Sequence, residues 1–414
     1  MSEHPRVVVT GTGAVSCFGM GTSVLWENLL AGNSGIGPIT KYDASAFRCQ
    51  IAGEVKDFDV TEYMPAKEAR RMDAFCHYAI AAADEAVAMA GISADNIDVT
   101  RAGVMVGSGV GGIQSLQDQC EILMTRGPSR NSPMTVPMMI VDIASGVVSI
   151  RFGFSGPNLC VVTACATGSH SIGEAMWMIR RGDADVMVAG GTEACVAPLG
   201  LTGFCAMKAL TKRNDEPTKA SRPFDAERDG FVPAEGAGVV VLESLEHAKA
   251  RGAEILAEVV GYGLTGDAHH ITAPEPGGSG AARAITNALK GAGIGPEGLD
   301  YINAHGTSTP LNDKTETASF KAALGERAYA IPVSSSKSMI GHNLGAAGGL
   351  ESIVCIQSLI NGAVHPTINY ENPDPECDLD YVPNCAREVP VRTAMCTNLG
   401  FGGHNAALLF KRWE

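Results

Sequence analysis

Apolar residues in this chain come in short unbroken blocks rather than alternating with polar ones. Arg6-Val7-Val8-Val9-Thr10 runs into Gly11-Thr12-Gly13, and further blocks occupy residues 103–107, 159–162, 186–189 and 238–242. Such blocks, rich in β-branched residues and bounded by glycine, predict strands buried on both faces, whose natural home is a parallel sheet. The first block is expected to end in a turn at its glycines. Segments with helical spacing lie between the blocks, so strand and helix alternate and the chain reads as α/β. After Glu243 a charged helical stretch, 246–252, leads into a second series at 256–260, 301–303, 332–334 and 407–410. The same order of elements thus runs twice without a residue-level repeat. No Pro/Gly/Ser linker separates the two runs, so halves spanning residues 1–250 and 251–414 are expected to share one compact interface.

Composition narrows this picture. At 414 residues the chain exceeds one ordinary core, and 45% hydrophobic against 18% charged residues suits an ordered enzyme with a deep interior. A net charge of −14 opposes phosphate neutralisation and argues against a nucleic-acid partner. Lys67, Arg70, Arg71 and Lys208 would form a local basic patch on this acidic body, suited to an acidic protein. Residues 1–5 have neither the cationic nor the apolar region of a signal peptide. The softest stretch, 186–210, is interrupted by Glu193, Pro198 and Lys208, so no transmembrane segment is expected. Twelve irregularly spaced cysteines without a CxxC pair suggest reduced cytosolic thiols rather than a zinc or redox framework. His269 and His270 are adjacent but lack a third ligand at useful spacing, so no metal is expected.

Three places carry candidate chemistry. The block at 159–162 predicts a strand, and Thr163-Ala164-Cys165-Ala166-Thr167-Gly168 then turns into a helix closed by Arg180, Arg181 and Gly182. A cysteine where a strand feeds a helix meets free amides and the positive end of the helix dipole. This predicts a thiol lowered from about 8.5 by roughly one or more units, beside a ready oxyanion site. On spacing alone, a cysteine that merely packs in the core is the commoner outcome. His305 lies in Asn303-Ala304-His305-Gly306-Thr307-Ser308-Thr309, and His342 in Lys337-Ser338-Met339-Ile340-Gly341-His342. Both are read at the C-terminal ends of strands, where open α/β sheets place their chemistry. The small residues after His342 would let another backbone approach closely, and no phosphate-loop or dinucleotide fingerprint is present. Gly400-Phe401-Gly402-Gly403 reads either as a mobile gate or as a tight hairpin.

Taken together these motifs resemble, in order and spacing, the beta-ketoacyl-acyl carrier protein synthases, most closely the synthase II type of dissociated fatty-acid synthesis. The resemblance runs from Val7 to Phe410 and includes Gly107-Ser108-Gly109-Val110-Gly111-Gly112, Ser221-Arg222-Pro223-Phe224-Asp225 and Glu227-Arg228-Asp229-Gly230-Phe231. It implies a thiolase-like αβαβα five-layered fold of two similar halves, a homodimer, and a cytoplasmic enzyme. Cys165 would take an acyl chain from acyl carrier protein, and His305 and His342 would serve decarboxylation of the malonyl unit and its condensation. Lys337 and Glu351 would order the site. The amides of Cys165 and Phe401 would form the oxyanion hole, with Phe401 also a gate. Thr307, Thr309 and Thr272 would meet the phosphopantetheine arm, which belongs to the substrate, so no separate cofactor is implied. Val110 and Phe204 would line the acyl pocket, Val110 at its far end across the dimer. Lys67, Arg70, Arg71 and Lys208 would dock the carrier protein. Ala166, Thr167, Ala273, Ile340, Asn343, Asn398 and Leu399 depart from the commonest synthase II pattern, and Ala166-Thr167 also occurs in synthase I, which leaves acyl length open. A type II polyketide ketosynthase would keep the same trio. A chain-length-factor-like subunit would lack Cys165, and a thiolase would want a second cysteine where Phe401 stands.

Overall fold

Nine strands follow one another across a single mixed sheet in the computed structural model, which describes residues 4–414. They are β1 (Val7–Ser16), β2 (Ala102–Gly107), β3 (Val186–Glu193), β4 (Gly236–Ser244), β5 (Ala257–Gly266), β6 (Tyr301–Asn303), β7 (Val333–Ser334), β8 (Thr393–Gly400) and β9 (His404–Arg412). Their order is β7-β6-β8-β9-β5-β1-β4-β3-β2, with Gly19–Met20 paired beside β1. The leader-free reading of the N-terminus rests partly on Met1, Ser2 and Glu3, which lie outside the described residues.

Two expectations about the strands need correction. The sheet is not parallel throughout: β1 runs antiparallel to both β4 and β5, and only β2–β3, β6–β7 and β6–β8 are parallel. Nor does β1 stop at its glycines. A Cβ on Gly11 would lie 2.0 Å from the Ala86 carbonyl oxygen, so this glycine lets helix α1 (Ala74–Ala90) lie directly on the strand. The block at 159–162 is an irregular extended segment. It meets β2 through the Leu159 amide, 3.2 Å from the Val104 carbonyl oxygen, through a bridge at the preceding Asn158, and through the Val161 carbonyl, which lies against Gly107. Leu159 and Val162 remain exposed there because the chain offers no strand on their outer side.

Alternation along the strands then builds layers. In β4, Val239 and Val241 face the core beneath α1 and helix α2 (Ile143–Phe152), while Val240 and Leu242 face inward. In β9, Ala407 and Leu409 face helices α4 (Ser279–Ala292) and α5 (Pro310–Leu324), while Leu408 and Phe410 face inward. Between the inward faces lie α3 (Thr167–Arg181) and α7 (Ala347–Asn361), which supply Ile172, Met176, Leu350 and Ile353 to a shared core. Helix, half-sheet, helix, half-sheet, helix is the five-layered thiolase-like arrangement. The half-sheets are joined by three residue pairs between β1 and β5, Val7–Val259 among them.

The stretch Leu344–Asn361 is long and apolar enough to cross a membrane by composition, unlike the 186–210 stretch singled out from sequence. It is 83% buried between the half-sheets, which accounts for its apolar character.

Candidate active site

The two central helices begin on the same side of the molecule, and their N-termini bring the site together. Cys165 occupies a single 3₁₀ turn, Ala164–Ala166, that leads into α3; Ala164 takes a left-handed φ of 51° to make the bend. Beside it β8 and β9 join in a hairpin through Phe401, Gly402 and Gly403, with Gly400 paired to His404. The Phe401 amide lies beside the Cys165 sulfur and favours its thiolate. Burial nevertheless pushes the Cys165 thiol up to about 12, against the opposing charge of Lys337 and that amide. This reverses the lowering expected from the helix N-terminus. The residue is 6% exposed, and loss of hydration outweighs a half-charge dipole.

His305 follows β6 as expected. The Glu316 carboxylate of α5 accepts the backbone amides of His305 and Gly306, both at 2.7 Å, and the Thr397 hydroxyl at 2.8 Å. Burial pushes Glu316 up to about 7. His342 is not at a strand end: helix α6 (Lys337–Ile340) intervenes after β7. Its backbone is held instead by residues 232–234, the His342 amide donating to the Val232 carbonyl at 2.7 Å. The imidazoles meet edge to face, 5.2 Å between centroids at 86°. A ligating atom from each of Cys165, His305 and His342 lies within 4.8 Å of the others. Burial, reinforced by the Lys337 charge, holds both histidines well below their usual range, so both rings are neutral.

Lys337 and Glu351 form an ion pair buried to 1% exposure on each side. Asn398 Nδ2 donates to Glu351 Oε2 at 2.6 Å and lies 3.3 Å from His305 Nδ1, while Asn398 Oδ1 accepts the Ser169 hydroxyl. Lys337 and Glu351 therefore reach His305 through Asn398. One sulfur and two ring nitrogens are also the donor set of a zinc site. His269 and His270 are exposed, and His270 Nδ1 accepts the amides of Thr272 and Ala273, each at 3.1 Å, which shapes the loop.

A cavity of about 580 Å³ opens over the trio. Its walls include Thr272, Thr307, Thr309, Phe401, Val110, Phe204 and Lys208, together with the trio. Thr307 and Thr309 hydroxyls pair at 3.0 Å. Val110 and Phe204 share an apolar cluster with Cys165 and Leu344. Lys337 and Glu351 stand behind the wall. Lys67, Arg70 and Arg71 are exposed on and just after the short helix Ala66–Ala69 and form no part of the lining. Sequence reasoning missed Glu193 and Glu316 and took Asn398 only as a departure. Glu193 did carry a signal, an acid closing a strand of eight buried residues.

Residues 4–248 match the profile of the beta-ketoacyl synthase N-terminal domain, and residues 256–371 that of the C-terminal domain. The 3-oxoacyl-[acyl-carrier-protein] synthase 2 of Synechocystis sp. is 52% identical over 412 residues, covering 100% of this chain and 99% of the relative. Its Staphylococcus aureus counterpart is 51% identical over 414 residues and 100% of both chains. Among solved structures, a type II polyketide ketosynthase, bound to a hexaketide and in complex with its acyl-carrier protein, has a TM-score of 0.92 at 36% identity, covering 99% of this chain and 100% of that one. A beta-ketoacyl synthase from Burkholderia phymatum has a TM-score of 0.92 at 34% identity with the same coverage.

Proposed function

This chain belongs to the beta-ketoacyl synthase family, and on that premise we propose how its residues perform the condensation of a 3-oxoacyl-[acyl carrier protein] synthase. It is a condensing acyltransferase of the synthase 2 type, its relatives of that name being about 50% identical over the full chain. Cys165 attacks the thioester carbonyl of an acyl carrier protein. An adjacent neutral imidazole relays the thiol proton to the departing pantetheine sulfur, leaving an acyl-Cys165 thioester. The amides of Cys165 and Phe401 hold the oxyanion in between. Malonyl carrier protein then enters and loses carbon dioxide, and the electron pair of the broken bond forms an enolate whose oxygen meets N–H donors of His305 and His342. The enolate carbon attacks the acyl carbonyl, the Cys165 thiolate leaves and is reprotonated, and a 3-oxoacyl thioester two carbons longer results.

The observation that carries this reading is the convergence of one thiol and two neutral imidazoles at the base of a cavity walled by Thr307 and Thr309. We assign the nucleophile to the half spanning 1–250 and the imidazoles to the half spanning 251–414. Thr307, Thr309 and Thr272 guide the phosphopantetheine arm, Val110 and Phe204 receive the acyl chain, Phe401 gates the pocket, and no further cofactor is required. Lys67, Arg70, Arg71 and Lys208 dock the carrier protein, which makes docking salt-sensitive. A homodimer is supported by the exposed edge at Leu159 and Val162 and by Met124, Val136 and Ile150, exposed by 84%, 58% and 80%. Twelve free thiols are consistent with a cytoplasmic location. Cys165 disfavours a chain-length-factor-like role, and the lower identity of the polyketide ketosynthase, 36%, favours fatty-acid elongation.

Intact-mass analysis after incubation with acyl carrier protein tests the reading. The parent protein is expected to gain one acyl group, and Cys165→Ala to gain none. His305→Ala and His342→Ala should still acylate but lose most malonyl decarboxylation or condensation. An acyl adduct of equal yield on Cys165→Ala would overturn the assignment.

A further inference from the structure

Glu193 closes β3 and is fully buried, yet it makes no contact with the reacting trio through a hydrogen bond of its own. Its carboxylate instead gathers two loops. Oε1 accepts the Ser108 hydroxyl at 2.7 Å and the Val110 amide at 3.3 Å. Oε2 accepts the Gly109 amide at 2.9 Å and the Gly345 amide at 3.0 Å. Ser108 in turn accepts the Gly111 amide at 2.8 Å, which fixes the shape of the first loop.

The two loops have different tasks in the proposed condensation. The first carries Val110 into the cavity wall on the acyl side, and the second carries Leu344 into the same wall three residues after Gly341 and directly after His342 and Asn343. The loops also touch by backbone. A Cβ on Gly345 would fall 2.3 Å from the Gly109 nitrogen, so their spacing leaves no room for adjustment by side chains. Burial pushes Glu193 up to about 7, against the three amides and the hydroxyl that favour its carboxylate, and its two oxygens satisfy donors that would otherwise be orphaned in the interior.

From this geometry we infer that Glu193 is a positioning residue that straps the acyl-pocket loop at Val110 to the loop bearing His342, so that pocket shape and His342 placement are set together. The inference rests on the condensing reading above. A glutamine at this position keeps a single acceptor oxygen and turns an amine toward one pair of N–H or O–H donors. With the amine at the Oε2 position the Gly345 loop is released, and with the amine at the Oε1 position the first loop is held through Gly109 alone, so either orientation weakens the strap.

The test compares the parent, Glu193→Gln and Ser108→Ala in two half-reactions: acylation of Cys165 by short- and long-chain acyl carrier proteins, read by intact mass, and decarboxylation of malonyl carrier protein. Glu193→Gln is expected to lower decarboxylation roughly tenfold or more and to change the ratio of long- to short-chain acylation, because small misplacements cost rate steeply. Ser108→Ala, which loosens only the acyl side, is expected to change that ratio with a smaller effect on decarboxylation. It also serves as the readout if Glu193→Gln fails to fold. Unchanged ratios in both variants, or a fall of all rates in equal proportion, would overturn the strap. A parent protein that forms no adduct at all would instead remove the condensing reading, and the strap with it.

Discussion

Asn398 Nδ2 stands 3.3 Å from His305 Nδ1 while donating to Glu351 Oε2 at 2.6 Å. An amide nitrogen only donates, so His305 must accept on Nδ1 and carry its proton on Nε2. Asn398 thereby selects the tautomer that offers an N–H donor. Asn398→Ala should lower kcat about tenfold, less than the 100- to 1000-fold typical of losing an oxyanion donor itself, with a smaller change in KM for malonyl carrier protein. Asn398→Asp should be worse than alanine, since a carboxylate beside Glu351 adds like charge and removes the donor. Steady-state kinetics of both variants check this order.

The thiol offers a test in pH. Burial raises Cys165 to about 12, and both histidines lie well below their ordinary range. Below its pKa the thiolate fraction grows tenfold per pH unit, so alkylation of Cys165 by iodoacetamide should keep accelerating between pH 7 and 10 with unit slope. No step from histidine protonation should occur near pH 6.5. A plateau reached by pH 8 would instead mark a thiolate preformed by the helix N-terminus.

Cys165, His305 and His342 were legible because each sits in a local motif, but the groups that orient them were not. Asn398 meets Glu351 across 47 residues, Glu193 meets Gly345 across 152, and Glu316, though only 11 residues from His305, meets Thr397 across 81. Nothing in the neighbouring residues specifies such partners. The same limit applies to the strands. Gly11 looks like a turn residue locally, and only the later arrival of α1 explains why the strand continues through it. His342 looked like a strand-end residue because α6 is a single turn of four residues, too short to produce a periodic signal. The doubled order of elements was readable, since it depends on apolar blocks alone. The direction of each strand was not, because it is fixed by connections rather than composition.

The convergent sulfur and imidazoles lead to a prediction about metal ions. Their ligating atoms lie within 4.8 Å of one another, so that a modest inward rotation of the side chains brings them to the roughly 3.3–3.8 Å edges of a tetrahedral zinc site. Micromolar Zn²⁺ should inhibit condensation, protect Cys165 from iodoacetamide and be reversed by a chelator. His342→Ala should weaken that protection about tenfold or more, measured as the Zn²⁺ concentration that halves the alkylation rate. Equal protection in the variant would place the ion elsewhere.

Stability depends on a different carboxylate. Glu243 is the penultimate residue of β4, near the junction of the halves, and is fully buried. Burial alone would raise it, but Arg251, with Nε at 2.8 Å and Nη2 at 2.5 Å, His247 at 2.6 Å and the Thr10 hydroxyl at 2.5 Å bring it down to about 2. An unfolded glutamate titrates near 4.3, so the native state binds the proton less tightly than the unfolded chain. The stabilisation, on the order of 3 kcal/mol, is therefore complete above about pH 5 and is lost as pH falls through the interval from about 4.3 to 2. Glu243→Gln should lower the melting temperature by several degrees at pH 7, and the gap from the parent should shrink at pH 3. Removing the partner with Arg251→Met should have an effect of the same order at pH 7, because it strands the carboxylate without its strongest donor. A gap between Glu243→Gln and parent that stays constant from pH 7 to pH 3 would show that the loss is one of packing, not of charge.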